Sequence, residues 1–174
     1  MKKIILCVIS LVIAVSLTGC MGAGGTQLQG INTADGVGID KIDASKYKND
    51  LDGLEKYMTA LRYLPKDSEP TEMMYNVIGA KDGDRYNFTV DNSTVFVELY
   101  EYDTDNLNED ANRVIREVKE KGEFKVLSDD DDAVFPAVLS SNGKYLLMYT
   151  DNSTNDSNEK RKKDFAQAVK NFYQ

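Results

Sequence analysis

Apolar residues follow three different patterns along this chain. From Ile4 to Val15 they form a nearly continuous run, interrupted only by Ser10. Residues 21–44 are rich in glycine and show no apolar period. From Ser45 onward, apolar residues recur at helical and strand spacings. The pattern predicts a hydrophobic leader, a flexible spacer, and a single globular domain over residues 45–174, a length that suits one hydrophobic core.

Three segments of this domain carry apolar residues at steps of three and four, which places them on one face of a helix. The first stripe consists of Tyr47, Leu51, Leu54, Met58 and Leu61, the second of Leu107, Ala111, Val114, Ile115 and Val118, and the third of Phe165, Ala168, Val169 and Phe172. Each stripe predicts a helix whose apolar face must be covered by another element.

Polar residues and helix breakers mark the ends of these helices. Ser45 is expected to cap the first helix, and Pro65 to end it. The segment Asn106–Glu109 has capping-box spacing, and Gly122 is expected to end the second helix. The segment Asp156–Glu159 has the same spacing ahead of the third helix, with aspartate in place of the usual serine or threonine.

Alternating apolar and polar residues predict the strands. The predicted strands cover residues 86–90, 95–102, 124–126, 134–139 and 145–149. The polar segment 91–94 is expected to reverse the chain between the first two strands. The pair Asn142-Gly143 favours a tight primed turn between the last two. Both pairs of strands are therefore expected to be antiparallel hairpins.

Residues 71–80 are ambiguous. They fit either a strand or a short helix that Thr71 caps and Gly79 closes. The helix is the favoured interpretation.

Together these elements predict an α+β fold. We expect an antiparallel sheet of about four or five strands, with the three longer helices packed mainly on one face. A hairpin followed by a helix occurs twice, in residues 85–121 and 134–173, which suggests a duplicated unit at the level of architecture.

Composition narrows the chemistry available to the domain. The two cysteines are Cys7, inside the apolar leader, and Cys20, and the chain has no histidine. The domain therefore cannot be a disulfide-stapled scaffold and cannot use thiolate or histidine chemistry. Carboxylate, lysine, tyrosine and hydroxyl groups remain.

The end of the leader resembles the bacterial lipoprotein signal. Lys2 and Lys3 precede the apolar run, which is too short to span a bilayer, and the segment Leu17-Thr18-Gly19-Cys20 follows it. The resemblance implies that residues 1–19 are removed, that Cys20 becomes the lipid-modified first residue, and that the protein is held on the outer face of the cell membrane. The alternative is an ordinary secretory leader with an incidental cysteine.

Charge and spacer length agree with a domain held near a membrane by lipid alone. Removing Lys2 and Lys3 with the leader leaves 19 basic against 29 acidic residues, a net charge of −10. This balance opposes binding to nucleic acid and to anionic lipid head groups. The spacer that follows Cys20 up to residue 44 has an expected reach of roughly 25–30 Å.

Within the domain, several short segments are similar to a group of small exported lipoproteins of Gram-positive bacteria. They are Gly79-Ala80, Val97-Glu98-Leu99-Tyr100, Tyr102-Asp103, Leu107-Asn108-Glu109 and Asn142-Gly143-Lys144-Tyr145. The similarity covers residues 75–150 and implies no activity.

One acidic segment is a candidate calcium site, and a second fails the calcium-loop pattern. The run Asp129-Asp130-Asp131-Asp132 offers the oxygen ligands that calcium prefers, but consecutive carboxylates usually diverge, which favours a solvated loop. In the segment starting at Asp151, the position that needs glycine holds Asp156 and the position of the closing acid holds Lys162, so the calcium-loop pattern fails. No cofactor is otherwise expected.

The strand 95–102 carries the candidate partner-binding face. If Val95, Val97 and Leu99 face the helices, the alternate residues must face away from them. The predicted face comprises Phe96, Glu98, Tyr100 and Tyr102, joined by Tyr145 and Tyr149 from the other hairpin. It suits a peptide, glycan or protein of the cell envelope. The alternative is that these aromatic rings only stabilise the sheet.

On function, the sequence favours a noncatalytic binding or interaction module, and not an enzyme. The alternative is a cell-envelope hydrolase that uses carboxylates. Glu98 and Glu101 lie on opposite faces of one strand and are poorly placed as an acid and base pair.

Overall fold

The computed structural model describes residues 42–126 and 133–174. The predicted leader, Cys20, all but the last three residues of the spacer, and Asp129–Asp132 lie outside the described residues. The helices are α1 (Leu51–Ala60), α2 (Glu109–Lys121) and α3 (Asp156–Asn171), with 3₁₀ helices at Ala44–Lys46 and Tyr75–Ile78. The strands are β1 (Thr71–Glu72), β2 (Asp82–Val90), β3 (Ser93–Glu101), β4 (Glu123–Val126), β5 (Ala133–Pro136), β6 (Val138–Leu139) and β7 (Tyr145–Asp151).

The strands form two antiparallel sheets. The larger sheet has five strands in the order β1-β2-β3-β7-β6, and the smaller one pairs β4 with β5. The α+β class and the antiparallel sheet of the predicted size are confirmed. In the described part of the chain, no helix is long and apolar enough to cross a membrane.

Helix α1 begins later than the sequence predicts. Ser45 lies in a 3₁₀ helix, where its backbone N–H and hydroxyl both donate to the carboxylate of Asp43. The cap of α1 is Asp50, whose Oδ1 accepts from the N–H of Gly53 at 2.8 Å. The helix ends at Ala60 with Leu61 as its C-cap, before Pro65, because the chain turns at Arg62 with a positive φ of 66°.

The caps of the other two helices are asparagines. Asn108 accepts from the N–H of Ala111 at 2.8 Å, and Asn155 accepts from the N–H of Asn158 at 2.9 Å. The cap of α2 therefore lies two residues after the predicted Asn106. The cap of α3 lies one residue before the predicted Asp156. Several adjacent polar side chains compete for each helix end, and the path of the incoming chain selects between them.

The ambiguous segment 71–80 contains both a strand and a helix. Thr71 belongs to β1, paired with Arg85 of β2, so it does not cap the 3₁₀ helix that starts at Tyr75. Gly79 closes this helix with φ of 71°, as predicted. A side chain at Gly79 would also collide with the cap of α2, since an added Cβ would lie 2.3 Å from Asn108 Oδ1.

Two turns determine how the strands connect. Asp91 and Asn92 both have positive φ, 49° and 63°, and they form the two-residue primed turn of the β2–β3 hairpin. The predicted strand 134–139 is broken at Ala137, whose N–H donates to the carbonyl of Gly122 at 2.9 Å. As a result, β5 pairs with β4 while β6 pairs with β7.

The five-stranded sheet is covered on both faces. Helices α1 and α3 pack on the face that carries Val95, Val97 and Leu99, all fully buried. Helix α2 and Phe124 pack on the opposite face. The expectation that the helices leave the second face largely open is wrong, because the apolar stripe of α2 lies across one end of it.

Candidate functional site

The six residues of the predicted partner-binding face do not share a face. Directly paired residues point to the same side of a sheet. Val97 pairs with Tyr149 and Glu101 pairs with Tyr145, so both tyrosines of β7 lie on the face covered by α1 and α3. Tyr145 is 0% exposed and Tyr149 is 8% exposed.

Tyr100 and Tyr102 lie on the predicted face but are buried by α2. Their rings belong to the core that contains Val114 and Val118 of that helix, and Tyr102 is 0% exposed. Burial raises the pKa of both phenols, which for Tyr100 is also raised by the hydrogen bond that its hydroxyl donates to Glu98 at 2.8 Å. The strand parity was predicted correctly, but the exposure of the aromatic rings was not.

Only the far end of this face remains accessible. Phe96 and Glu98 are half-buried, and with Arg85 and Thr150 they line a shallow depression of about 280 Å³. Arg85 forms an ion pair with Glu98, and its Nε donates to Glu98 Oε1 at 2.9 Å. The carboxylate of Glu98 thus already has two partners, the guanidinium and the hydroxyl of Tyr100.

A deeper cavity lies on the other face of the sheet, between α3 and the end of β7. Its volume is about 300 Å³, and we call it the α3 groove. It is lined by Gly122, Pro136, Ala137, Val138, Leu147, Tyr149 and Ala166, with Glu159, Lys162 and Lys163 along its α3 side. An apolar concavity with a few charged groups is the usual form of a ligand-binding pocket.

The position of the α3 groove follows from the break at Ala137. Strand β6 covers only Leu146 and Leu147 of β7, and the chain preceding β6 leaves the sheet to pair with β4. A wedge-shaped space remains between β5, the end of β7 and α3. The groove therefore forms because one stretch of chain supplies β5 to the smaller sheet and β6 to the larger one.

A buried ion pair fixes the α3 wall of this groove. Arg161 is 4% exposed, and its guanidinium donates to Tyr149 Oη at 2.9 Å and to Asp151 Oδ2 at 2.7 Å. Asp151 also accepts from Ser93 and from Asn158. Burial tends to raise the pKa of Asp151, but these donors outweigh it and lower the pKa below its ordinary value.

A second cleft lies beside α1 and is lined by Glu55, whose carboxyl group interacts with that of Asp84. Glu55 of α1 faces Asp84 and Tyr86 of β2. The cleft has a volume of about 280 Å³, and Lys56 and Lys66 are among the residues that line it. One carboxyl oxygen of Glu55, Oε1, is buried without a hydrogen-bond partner among the described residues. We call Glu55 and Asp84 the carboxyl pair.

The environment of the carboxyl pair favours a shared proton. Burial, followed by the negative charge of Asp84, raises the pKa of Glu55 from 4.5 to about 8. Burial also raises the pKa of Asp84, although a hydrogen bond from Glu55 lowers it. Near neutral pH Glu55 is therefore mainly protonated and can donate a hydrogen bond to Asp84.

The buried Glu101 has a structural role. Its Oε2 accepts from the backbone N–H of Leu51, the first residue of α1, at 2.7 Å. Its Oε1 lies 3.2 Å from Lys81 Nζ and 3.3 Å from Lys144 Nζ. The carboxylate thus stabilises the positive end of α1 and is neutralised by two ammonium groups. Among the described residues, no group of three or more acidic side chains is placed to hold a metal ion.

Neither the carboxyl pair nor the α3 groove was predicted. The sequence does contain a signal for the carboxyl pair, because Asp84 lies on the same face of its strand as the core residues Tyr86, Phe88 and Val90. An acid at such a position is unusual, since buried carboxyl groups need a partner. Nothing in the sequence places Glu55 opposite it, and the groove has no local signature.

Comparison of the chain with family models, with curated proteins and with solved structures finds no match. The class of protein therefore rests on the fold itself. It is an α+β domain with an antiparallel sheet covered by helices on both faces.

Proposed function

We propose that this protein is a lipid-anchored, extracytoplasmic binding module and that the α3 groove is its ligand site. The observation that carries the proposal is the groove, an apolar cavity of about 300 Å³ bordered by Lys162, Lys163 and Glu159. Its volume lies at the lower end of the range typical of ligand pockets. The ion pair of Arg161 and Asp151 holds its wall in place without a ligand.

The anchoring part of the proposal rests on the leader and on Cys20. Replacing Cys20 with Ala should release the protein from the membrane fraction or leave it unprocessed, and should abolish incorporation of labelled palmitate. Cys7→Ala is the matched control, because this cysteine lies inside the leader and should not affect the anchor. Unchanged fractionation and labelling of the Cys20→Ala variant would refute the anchor.

Filling the groove tests the ligand site. Ala166 lines the α3 groove, and Ala166→Trp should occupy much of its volume. An apolar anionic dye such as anilinonaphthalene sulfonate should bind the wild-type protein at one saturable site, and soluble envelope extract should displace it. The variant should not bind the dye. Gln167→Trp places the same ring on the exposed side of α3 and should leave dye binding unchanged. Equal dye binding by both variants would exclude the groove as the site.

The carboxyl pair favours a second candidate function, a hydrolase acting on envelope polymers. Asp84 would accept a proton from water while Glu55 donates its proton to the leaving group, so that the water oxygen bonds to the substrate as the scissile bond breaks. Purified envelope glycan and peptide are the test substrates. Glu55→Gln and Asp84→Asn should each abolish turnover, whereas Glu120→Gln on the exposed face of α2 should not. No turnover by the wild-type protein would exclude this candidate for those polymers.

A further inference from the structure

The outer edge of β7 is only partly paired. Strand β6 pairs Val138 with Leu147 and Leu139 with Leu146, whereas β7 continues to Asp151. The carbonyl of Tyr145 accepts from Ser140 on this side at 2.8 Å. Backbone groups alternate sides along a strand, so Tyr149 and Asp151 direct their N–H and C=O groups to the same edge. No described strand pairs with them there.

Strand β6 cannot be extended along this edge. Extending the β6–β7 register by two residues would bring Pro136 opposite Tyr149, at a position where the partner strand must donate an N–H. Proline has no N–H, and Ala137 already donates its own to Gly122 at 2.9 Å. Tyr149 of this free edge and Pro136 both line the α3 groove, so the free edge borders the groove.

Side chains beside the free edge define what kind of strand would fit. Pro136, Val138 and Ala166 line the groove without being fully buried, and they offer apolar surface to alternate residues of an added strand. Lys162 and Lys163 are exposed at the rim, and neither forms an ion pair with a described residue. Glu159 is the single acid among the lining residues. This local excess of positive charge lies on a protein that is acidic overall, which favours an acidic partner.

We propose that the α3 groove binds an extended acidic peptide segment of a partner protein, which adds a strand to the free edge of β7 at Tyr149 and Asp151. The inference rests on the proposed function, since it names the ligand class of the same groove. Backbone hydrogen bonds to β7 hold the segment, its alternate apolar side chains enter the groove, and its carboxylates lie beside Lys162 and Lys163.

The test uses a fluorescein-labelled peptide of eight residues that alternates valine with aspartate. Fluorescence anisotropy should show saturable binding to the wild-type protein that weakens as salt is added. Lys162→Glu together with Lys163→Glu should weaken binding at least tenfold. The control, Lys160→Glu together with Lys170→Glu, makes the same change of charge on α3 outside the groove and should alter binding less than threefold. Ala166→Trp should abolish binding.

Backbone pairing is tested without any protein variant. Methylating the backbone nitrogens of every second residue gives two peptides, one for each register. The peptide whose methylated nitrogens face β7 cannot donate to the edge and should fail to bind. Hydrogen exchange of the Tyr149 and Asp151 amides should slow at least tenfold when the unmodified peptide binds. Equal binding of both methylated registers, or unchanged exchange at these amides, would overturn strand addition.

The dye separates this inference from the proposed function. If a long-chain fatty acid displaces the dye from the groove and the peptide does not, the groove is a lipid site and the peptide inference fails while the binding module stands. If neither the dye nor the peptide binds, both proposals fail. If the peptide binds equally well to Ala166→Trp, it binds elsewhere and the inference is overturned.

Discussion

Replacing Glu55 with Gln should stabilise the folded protein at neutral and alkaline pH and leave it nearly unchanged at pH 4. The folded state keeps the Glu55 proton up to about pH 8, whereas the unfolded chain releases it near 4.5. Folding stability that is fully present below pH 4.5 is therefore lost progressively as the pH rises through 8. The glutamine side chain carries no charge at any pH and can still donate a hydrogen bond to Asp84, so the variant avoids this loss.

The magnitude follows from the shift in pKa. Each unit corresponds to about 1.4 kcal/mol, which gives at most about 3 kcal/mol at pH 7. Glu55 is partly exposed, and solvent screening reduces this value to about 1–2 kcal/mol. For a domain of this size, such a gain raises Tm by roughly 4–8 °C.

The assay is urea unfolding followed by circular dichroism at intervals between pH 4 and pH 9. The difference in unfolding free energy between Glu55→Gln and the wild type should grow with pH and level off above pH 8. Glu120→Gln removes one charge from an exposed position of α2 and should change stability by less than about 0.5 kcal/mol at every pH. A gain that is equal at pH 4 and pH 8, or a loss at pH 8, would refute the shared-proton explanation.

Three further substitutions test the packing around the two sites. Tyr102→Ala should destabilise the fold by about 3–5 kcal/mol, because it empties a fully buried position beneath α2. Arg161→Met should cost about 3–5 kcal/mol, because it leaves the carboxylate of Asp151 buried without its cation. Glu101→Gln should cost about 1–3 kcal/mol, because it removes the charge that faces the first N–H of α1 and two lysines. Unfolding in urea measures all three.

Matched variants keep these predictions specific. Tyr102→Phe retains the buried ring and should cost less than about 1.5 kcal/mol, since the hydroxyl has no hydrogen-bond partner among the described residues. Lys160→Met removes an exposed cation of α3 that pairs with Asp164, and the loss should stay within about 0.5 kcal/mol. If Tyr102→Ala were as stable as the wild type, the packing of this ring beneath α2 would be refuted. Equal losses at Arg161 and Lys160 would show that the buried pair stabilises the fold no more than the exposed pair does.

The class of fold was readable from the sequence because its signals are local. Stripes at steps of three and four led to the three helices, and alternation with a polar reversal at 91–94 led to the β2–β3 hairpin. The alternation of side chains along β3 also correctly placed Val97 and Leu99 on one face of the sheet and Glu98 and Tyr100 on the other. Periodicity therefore identified each apolar surface, but it could not identify which element would cover it.

Tertiary structure alone decided the features on which function depends. Helix α2 covers Tyr100 and Tyr102 because its apolar stripe packs on the face of the sheet opposite α1 and α3. Both faces of the sheet are apolar, and the sequence does not indicate which of them α2 covers. Ala137 ends one strand and starts another because its N–H bonds to Gly122, fifteen residues earlier in the chain. The α3 groove results from that divergence, and the carboxyl pair results from the contact of α1 with β2. By itself the sequence determined the helix and strand periods, the turns and the kinds of chemistry that the domain cannot use, because these depend on composition and on neighbouring residues. Both sites depend instead on contacts between residues far apart in the chain.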